Sequence, residues 1–183
     1  MMPLALITVL TALPFLALGL FFLLAGSRGE YWAKAFPRNR TATWILMGLA
    51  AGWFLWQVAF LSDADFGQYS EWLFAGFLTV AVLSFIYVPD FLAVRGLAAL
   101  ILLAAQIPLD AAWMRYELPG RLVMVTVVYL CILLALYLGA VPYRLRDFLA
   151  WLYARPGRVR GAGLVITGVG AAVGLSPLTY LLS

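Results

Sequence analysis

The sequence predicts an all-α membrane protein of six transmembrane helices, arranged as three hairpins with both termini outside the cytoplasm. A short cytoplasmic amphipathic helix is expected near residues 144–155. Three observations predict this fold. Of the 183 residues, 66% are hydrophobic and 11% charged, against about 25% charged in soluble domains, and the mean hydropathy is +1.01. Apolar runs long enough to cross a bilayer, about 20 residues each, recur between charged interruptions. The basic residues alternate between interruptions that are rich in them and interruptions that are poor.

The expected spans lie near 3–25, 42–61, 71–88, 96–114, 121–141 and 162–182, which makes residues 1–183 a single transmembrane domain. The first apolar stretch has no Lys or Arg ahead of it and exceeds the roughly 7–15 residues of a signal-peptide core, so a retained helix is expected there. Runs such as Leu97-Ala98-Ala99-Leu100-Ile101-Leu102-Leu103 are apolar on every side, whereas barrel strands alternate in polarity. Helices then remain as the way to satisfy the backbone in lipid.

Orientation follows from the loops, because Lys and Arg concentrate on the cytoplasmic side. The first connection holds Arg28, Lys34, Arg38 and Arg40, the third holds Arg95, and the fifth holds Arg144, Arg146, Arg155, Arg158 and Arg160. That is ten of the twelve basic residues. With Glu30, Asp90 and Asp147 on the same side, the inner net charge is +7; Arg115 and Arg121 against Asp63, Asp65, Glu71, Asp110 and Glu117 leave −3 outside. A pI near 9.5 therefore calls for anionic headgroups of the inner leaflet, and no nucleic-acid partner is implied. Trp72 and Trp113 at the outer boundary and Tyr31, Trp32, Trp44, Tyr143 and Trp151 at the inner one fit aromatic belts. Trp53 and Trp56 fall inside the second span.

Residues 144–155 place Leu145, Phe148, Leu149 and Leu152 on one helical face, with Arg144, Asp147 and Arg155 elsewhere. This is the pattern of a helix lying in the interface, closed by Pro156-Gly157. A helical continuation of the fifth span is the alternative, with Pro142 standing against it.

Each cytoplasmic connection ends on an arginine at the foot of the next span: Arg40, Arg95 and Arg160, spaced by 55 and 65 residues. At an offset of 120, Arg40, Ile45 and Gly48 coincide with Arg160, Val165 and Gly168, and Val88-Pro89 and Val141-Pro142 open two of the connections. Two explanations stand: a threefold hairpin repeat of the kind found in transporters, or the orientation rule acting three times. The last hairpin, with Pro142, Arg144, Arg146, Pro156, Arg160, Gly161 and Gly163, resembles small two-helix bacterial inner-membrane proteins of unknown function. With Phe36-Pro37-Arg38-Asn39-Arg40 before a helix, the whole chain resembles uncharacterised polytopic proteins of bacterial genomes. The resemblance implies a bacterial cytoplasmic membrane and brings no activity with it.

Chemistry-bearing residues are few. Histidine is absent and Cys131 is the single cysteine, which removes imidazole metal ligands and the commonest neutral-pH base. Neither a cofactor nor a metal site is expected. No P-loop, nucleophile elbow, His-Glu-x-x-His or Cys-x-x-Cys motif occurs, so no enzymatic activity is expected. Asp63 and Asp65 flank a turn with Phe66-Gly67 and read as a solvated loop.

Gln106 and Asp110 share a helix face at i, i+4. Pro108 between them removes an amide donor and invites a kink. A helix beginning near Gly96 places Gln106 near mid-bilayer and Asp110 in the outer third. A charged Asp costs up to about 2.5–3.5 kcal/mol at the centre of a span and less nearer the interface, which makes Asp110 a site candidate. With Gln57 at similar depth and Trp53 or Trp56 as walls, an outward polar pocket is one reading. In the other, Asp110 sits at the interface, solvated or paired with Arg115 or Arg121, while Gln106 bonds a neighbouring helix. Gly170 and Gly174 form a Gly-x-x-x-Gly pair, facing either another chain or the other helices of this one.

The expected function is that of a non-enzymatic structural or accessory subunit or scaffold of a membrane assembly. Lipids would be its partners, together with a membrane protein or a second copy of the chain. A small transporter or channel built on Gln57, Gln106 and Asp110 is the alternative.

Overall fold

The computed structural model describes residues 4–24, 26–88, 90–118 and 120–180. Eight α-helices occur among the described residues, with no strand: α1 (Leu4–Leu24), α2 (Gly26–Ala35), α3 (Arg40–Ala59), α4 (Ser70–Tyr87), α5 (Leu92–Ala112), α6 (Arg121–Ala140), α7 (Tyr143–Tyr153) and α8 (Pro156–Leu175). Six of these helical segments are long and apolar enough to cross a membrane: Leu4–Leu24, Arg40–Ala59, Gly67–Tyr87, Leu92–Ala112, Arg121–Ala140 and Pro156–Thr179. Pro3, Ala25 and residues 181–182 at the ends of expected spans, and Pro89, lie outside the described residues.

The boundaries differ from the expected ones where a charged residue lies at the foot of a span. α5 starts at Leu92, so Arg95 lies within its first turn, and α8 starts at Pro156, so Arg158 and Arg160 are helical. Proline at the first position forgoes an amide that has no intrahelical partner, and Pro156 therefore opens α8 after α7 has already ended at Tyr153. α5 continues through Pro108 to Ala112. α1 likewise carries Pro14 in its interior.

The first basic connection, expected as a loop, folds into α2. Gly26 enters it at φ +52°, a left-handed value natural to glycine, and Lys34 and Glu30 pair one turn apart at 2.6 Å. Pro37 is buried in a 3-10 turn over Phe36–Arg38. Asn39 then caps α3, its Oδ1 accepting the Ala42 amide at 3.0 Å, as short polar side chains do at helix starts. The segment 144–155 is a separate helix, α7, with Leu149 and Leu152 buried and Leu145 half-buried. Phe148 departs from the expected apolar face: it is exposed and stacks on Trp151.

Contacts divide the chain into two compact units. One comprises residues 1–34, 104–134 and 146–183. Its centre is α1 against α8, which run antiparallel: Ala12 faces Gly174, Leu16 faces Gly170, and Gly19 and Leu23 face Gly163. Leu4, Ala12 and Val173 join Ala105, Ala112, Met124 and Val128 in the core. Thr8, fully buried, donates to the Leu4 carbonyl at 2.9 Å and lies 3.3 Å from the Met124 sulfur.

At the other end of this pair, Tyr153 of α7 meets Phe22 of α1 at 6.4 Å and Lys34 of α2 at 5.9 Å. Burial pushes the Tyr153 phenol above its ordinary value, and the Glu30 carboxylate adds to the shift by opposing a second negative charge. The neutral phenol is thus the favoured form, and its contribution to stability is lost as pH rises through the raised pKa. Glu30→Gln is expected to let this phenolate form at lower pH. Near-ultraviolet absorbance, with Tyr153→Phe subtracted, checks it; an unmoved titration contradicts the coupling.

The second unit comprises residues 35–103 and 135–145. α3 and α4 run antiparallel, joined by a Trp44–Phe85 stack at 4.5 Å and an edge-to-face Phe54–Phe77 pair at 4.9 Å. α5 enters beside α3 at Gly96, where a Cβ would meet the Met47 amide nitrogen at 2.7 Å. Ala98 faces Gly139 of α6. No residue of α4 is buried.

Candidate functional site

Hydroxyls within the spans show how the sequence handles polarity in an apolar setting. Thr11, Thr43, Thr79 and Ser84 donate to the carbonyls of Ile7, Asn39, Ala75 and Val80, each four residues back and 2.8–3.0 Å away. Back-bonding of this kind removes the need for a partner on another helix. Thr167 differs: its hydroxyl is buried against Gly19 and has no hydrogen-bond partner among the described residues.

The residues of the expected polar pocket fall in different units. Gln57 is half-buried on α3 in the second unit, while Gln106 and Asp110 are exposed on α5 in the first. Trp53 is half-buried; Trp56 is exposed and packs on Phe60 at 4.7 Å. Asp110 makes no ion pair among the described residues. Arg121 is engaged otherwise: its guanidinium donates to the Ala112 carbonyl at 2.8 Å and lies 4.9 Å from the Tyr116 ring. It thereby holds a carbonyl at the negative end of α5. Arg121→Gln is expected to lower stability by about 1 kcal/mol, measured as a drop in the thermal midpoint, with Arg115→Gln unchanged.

Gly170 and Gly174 face α1 of the same chain, at Leu16 and Ala12. A second pair with the same spacing lies open. Gly48 and Gly52 on α3 have nothing within 4 Å of the place a Cβ would occupy, and Ile45, Leu49 and Trp56 around them are exposed. Spacing alone does not separate the two pairs; their tertiary surroundings do. Gly19 was also beyond the hydropathy pattern, since α1 is apolar on every side. The signal that marks its face is the series of small residues Thr8, Ala12 and Gly19, all buried.

Among the arginines expected to meet the inner leaflet, Arg146 bonds Asp147 at 2.7 Å. Arg158 donates to the Trp151 carbonyl at 2.9 Å and lies 4.4 Å over its ring, and Arg155 and Arg160 are exposed. In the other unit Arg144 lies 5.8 Å from the Tyr143 ring. The exposed Asp63 and Asp65 sit in a turn in which Ser62 donates to Asp65 at 2.8 Å.

A cleft of about 400 Å³ lies among α3, α4 and α5 of the second unit, walled by Met47, Ala50, Ala51, Phe54 and Leu55, by Phe77, Val80, Ala81 and Ser84, and by Ala99, Leu102 and Leu103. Ser84 is its one polar side chain, and that hydroxyl is already bonded to Val80. The size falls in the range of small-molecule pockets, about 300–1,000 Å³, but the lining suits hydrocarbon. No group of three or more His, Cys, Asp or Glu that could hold a metal occurs among the described residues. Comparison with protein-family models, curated proteins and solved structures found no match.

Proposed function

We propose that this chain is a non-enzymatic multi-pass protein of a bacterial cytoplasmic membrane, serving as a structural or accessory subunit or scaffold of a membrane assembly. The observation that carries this reading is the open face of α3, where Gly48 and Gly52 are unobstructed among exposed Ile45, Leu49 and Trp56. Small residues on a membrane helix let a second helix approach closely, and α1 and α8 already use that device on each other. The local satisfaction of hydroxyls by their own helices supports a binding role over a polar route for solutes. The antiparallel α1–α8 pair supports placing both ends of the chain on one side of the membrane, and the loop charges favour the outer side.

Purification in mild detergent, followed by mass analysis of what co-migrates, tests the reading. A stoichiometric membrane-protein partner is expected, released by Gly48→Leu or Gly52→Leu. A homo-oligomer carrying bound solute would overturn it in favour of transport. Reporter fusions at the two ends are expected to be active on the outer side only.

A further inference from the structure

We propose that the cleft among α3, α4 and α5 is a binding site for one acyl chain of an anionic phospholipid, whose phosphate is held by Arg40 and Arg95. The proposal rests on the membrane-spanning reading above. Two aromatic pairs join α3 to α4, Trp44–Phe85 and Phe54–Phe77, and the second of them walls the cleft. The lining on α3 runs from Met47 to Leu55, about 12 Å of helix, against about 15 Å for half of a hydrocarbon core of about 30 Å. The cleft thus reaches through most of one leaflet. Its alanines at positions 50, 51, 81 and 99 leave room that larger side chains would fill. An apolar chain entering it gives up no hydrogen bond, since Ser84 is already satisfied.

Charge selects the headgroup. Arg40 lies seven residues before Met47 on α3, on the same helix face and about 10 Å along the axis. Arg95 lies four residues before Ala99 on α5, again on the cleft-facing side and about 6 Å along the axis. Gly96 sets the two helices side by side at that end through its approach to Met47. Arg40 is exposed and Arg95 half-buried, and neither makes an ion pair among the described residues. The acidic residues of this unit are Asp63, Asp65 and Glu71 around the α3–α4 connection and Asp90 before α5, so the arginine end carries a positive balance. A phosphodiester supplies the missing counter-charge, and a zwitterionic headgroup does so less well.

The full-length protein in nanodiscs of mixed phosphatidylglycerol and phosphatidylcholine, released into native mass spectrometry, tests this. Retention of phosphatidylglycerol over phosphatidylcholine by about fivefold for each arginine is expected. The double variant R40Q/R95Q is expected to lose that preference, and R40K/R95K to keep most of it. Ala81→Phe, which fills the cleft, is expected to abolish retention of either lipid, whereas Val82→Phe on the exposed side of α4 leaves it intact. Equal retention of the two lipids by the wild-type protein, which needs no variant, would overturn the proposal. So would phosphatidylglycerol binding untouched by Ala81→Phe, because a surface charge effect or a partner helix in the cleft would then be the better account. Failure of the protein to float with liposomes would instead remove the membrane reading itself.

Discussion

Gly19→Ala is expected to destabilise the protein by about 1–3 kcal/mol, although alanine is the better helix former by nearly 1 kcal/mol. The sign is set by what the new methyl meets: the Thr167 hydroxyl, the Thr167 amide nitrogen at 2.7 Å and the Gly163 carbonyl oxygen at 3.0 Å. Two of those are backbone atoms of α8, which no rotamer change can withdraw. At Gly168, one residue from Thr167, there is nothing within 4 Å, so Gly168→Ala is expected to stabilise by about 0.4–1 kcal/mol. Unfolding midpoints in mild detergent, followed by far-ultraviolet circular dichroism, measure both. Equal shifts of one sign would mean that the close approach of α1 and α8 is not what holds them together.

The second large effect is expected at Gly96. A Cβ there meets the Met47 amide nitrogen at 2.7 Å and the Leu46 carbonyl carbon and Met47 Cα at 2.9 Å, all of them backbone. Gly96→Ala is therefore expected to cost about 1–3 kcal/mol and to prise the first turn of α5, with its buried Leu92, Ala93 and Val94, away from α3. Gly76 on α4 has open space around it, and Gly76→Ala is expected to be neutral or mildly stabilising. A midpoint for Gly96→Ala within error of wild type would show that α3 and α5 yield at this point.

These two glycines mark the limit of what the sequence makes legible. The six long apolar helices could be read directly, because a hydrocarbon solvent demands both length and internally satisfied amides. Their ends could be read to within a few residues, with α5 and α8 starting early because a charged residue at the foot of a span is still helical. α2 was not legible as a helix: its residues show neither a long apolar run nor a proline-marked start, and it is held by Glu30–Lys34 and by packing near Tyr153.

Helix faces were harder. In a span apolar all round, hydropathy has no direction, so the partner of Gly19, nearly 150 residues away, leaves no local trace. The same limit applies to Gly170 and Gly174, whose spacing is that of Gly48 and Gly52 but whose surroundings are not. The threefold arginine pattern also divides on inspection. Arg40 is the first residue of its helix, Arg95 the fourth and Arg160 the fifth, and Gly96 is crowded where Gly161 is open. The shared arginines thus sit in unlike local settings. The apolar cleft could not be foreseen at all, since it is defined by alanines on three helices whose adjacency is a tertiary fact.

The pairing of the first long helix with the last has a consequence for biogenesis. The ribosome delivers α1 to the membrane before any of its principal partner exists, and Ala12 must wait for some 160 further residues before Gly174 emerges. Throughout that interval the face carrying Thr8, Ala12 and Gly19 is without its native cover. Chains cut short before α8 should accordingly be cleared by membrane proteases, while α8 expressed as a separate fragment should rescue them by supplying the missing surface in trans.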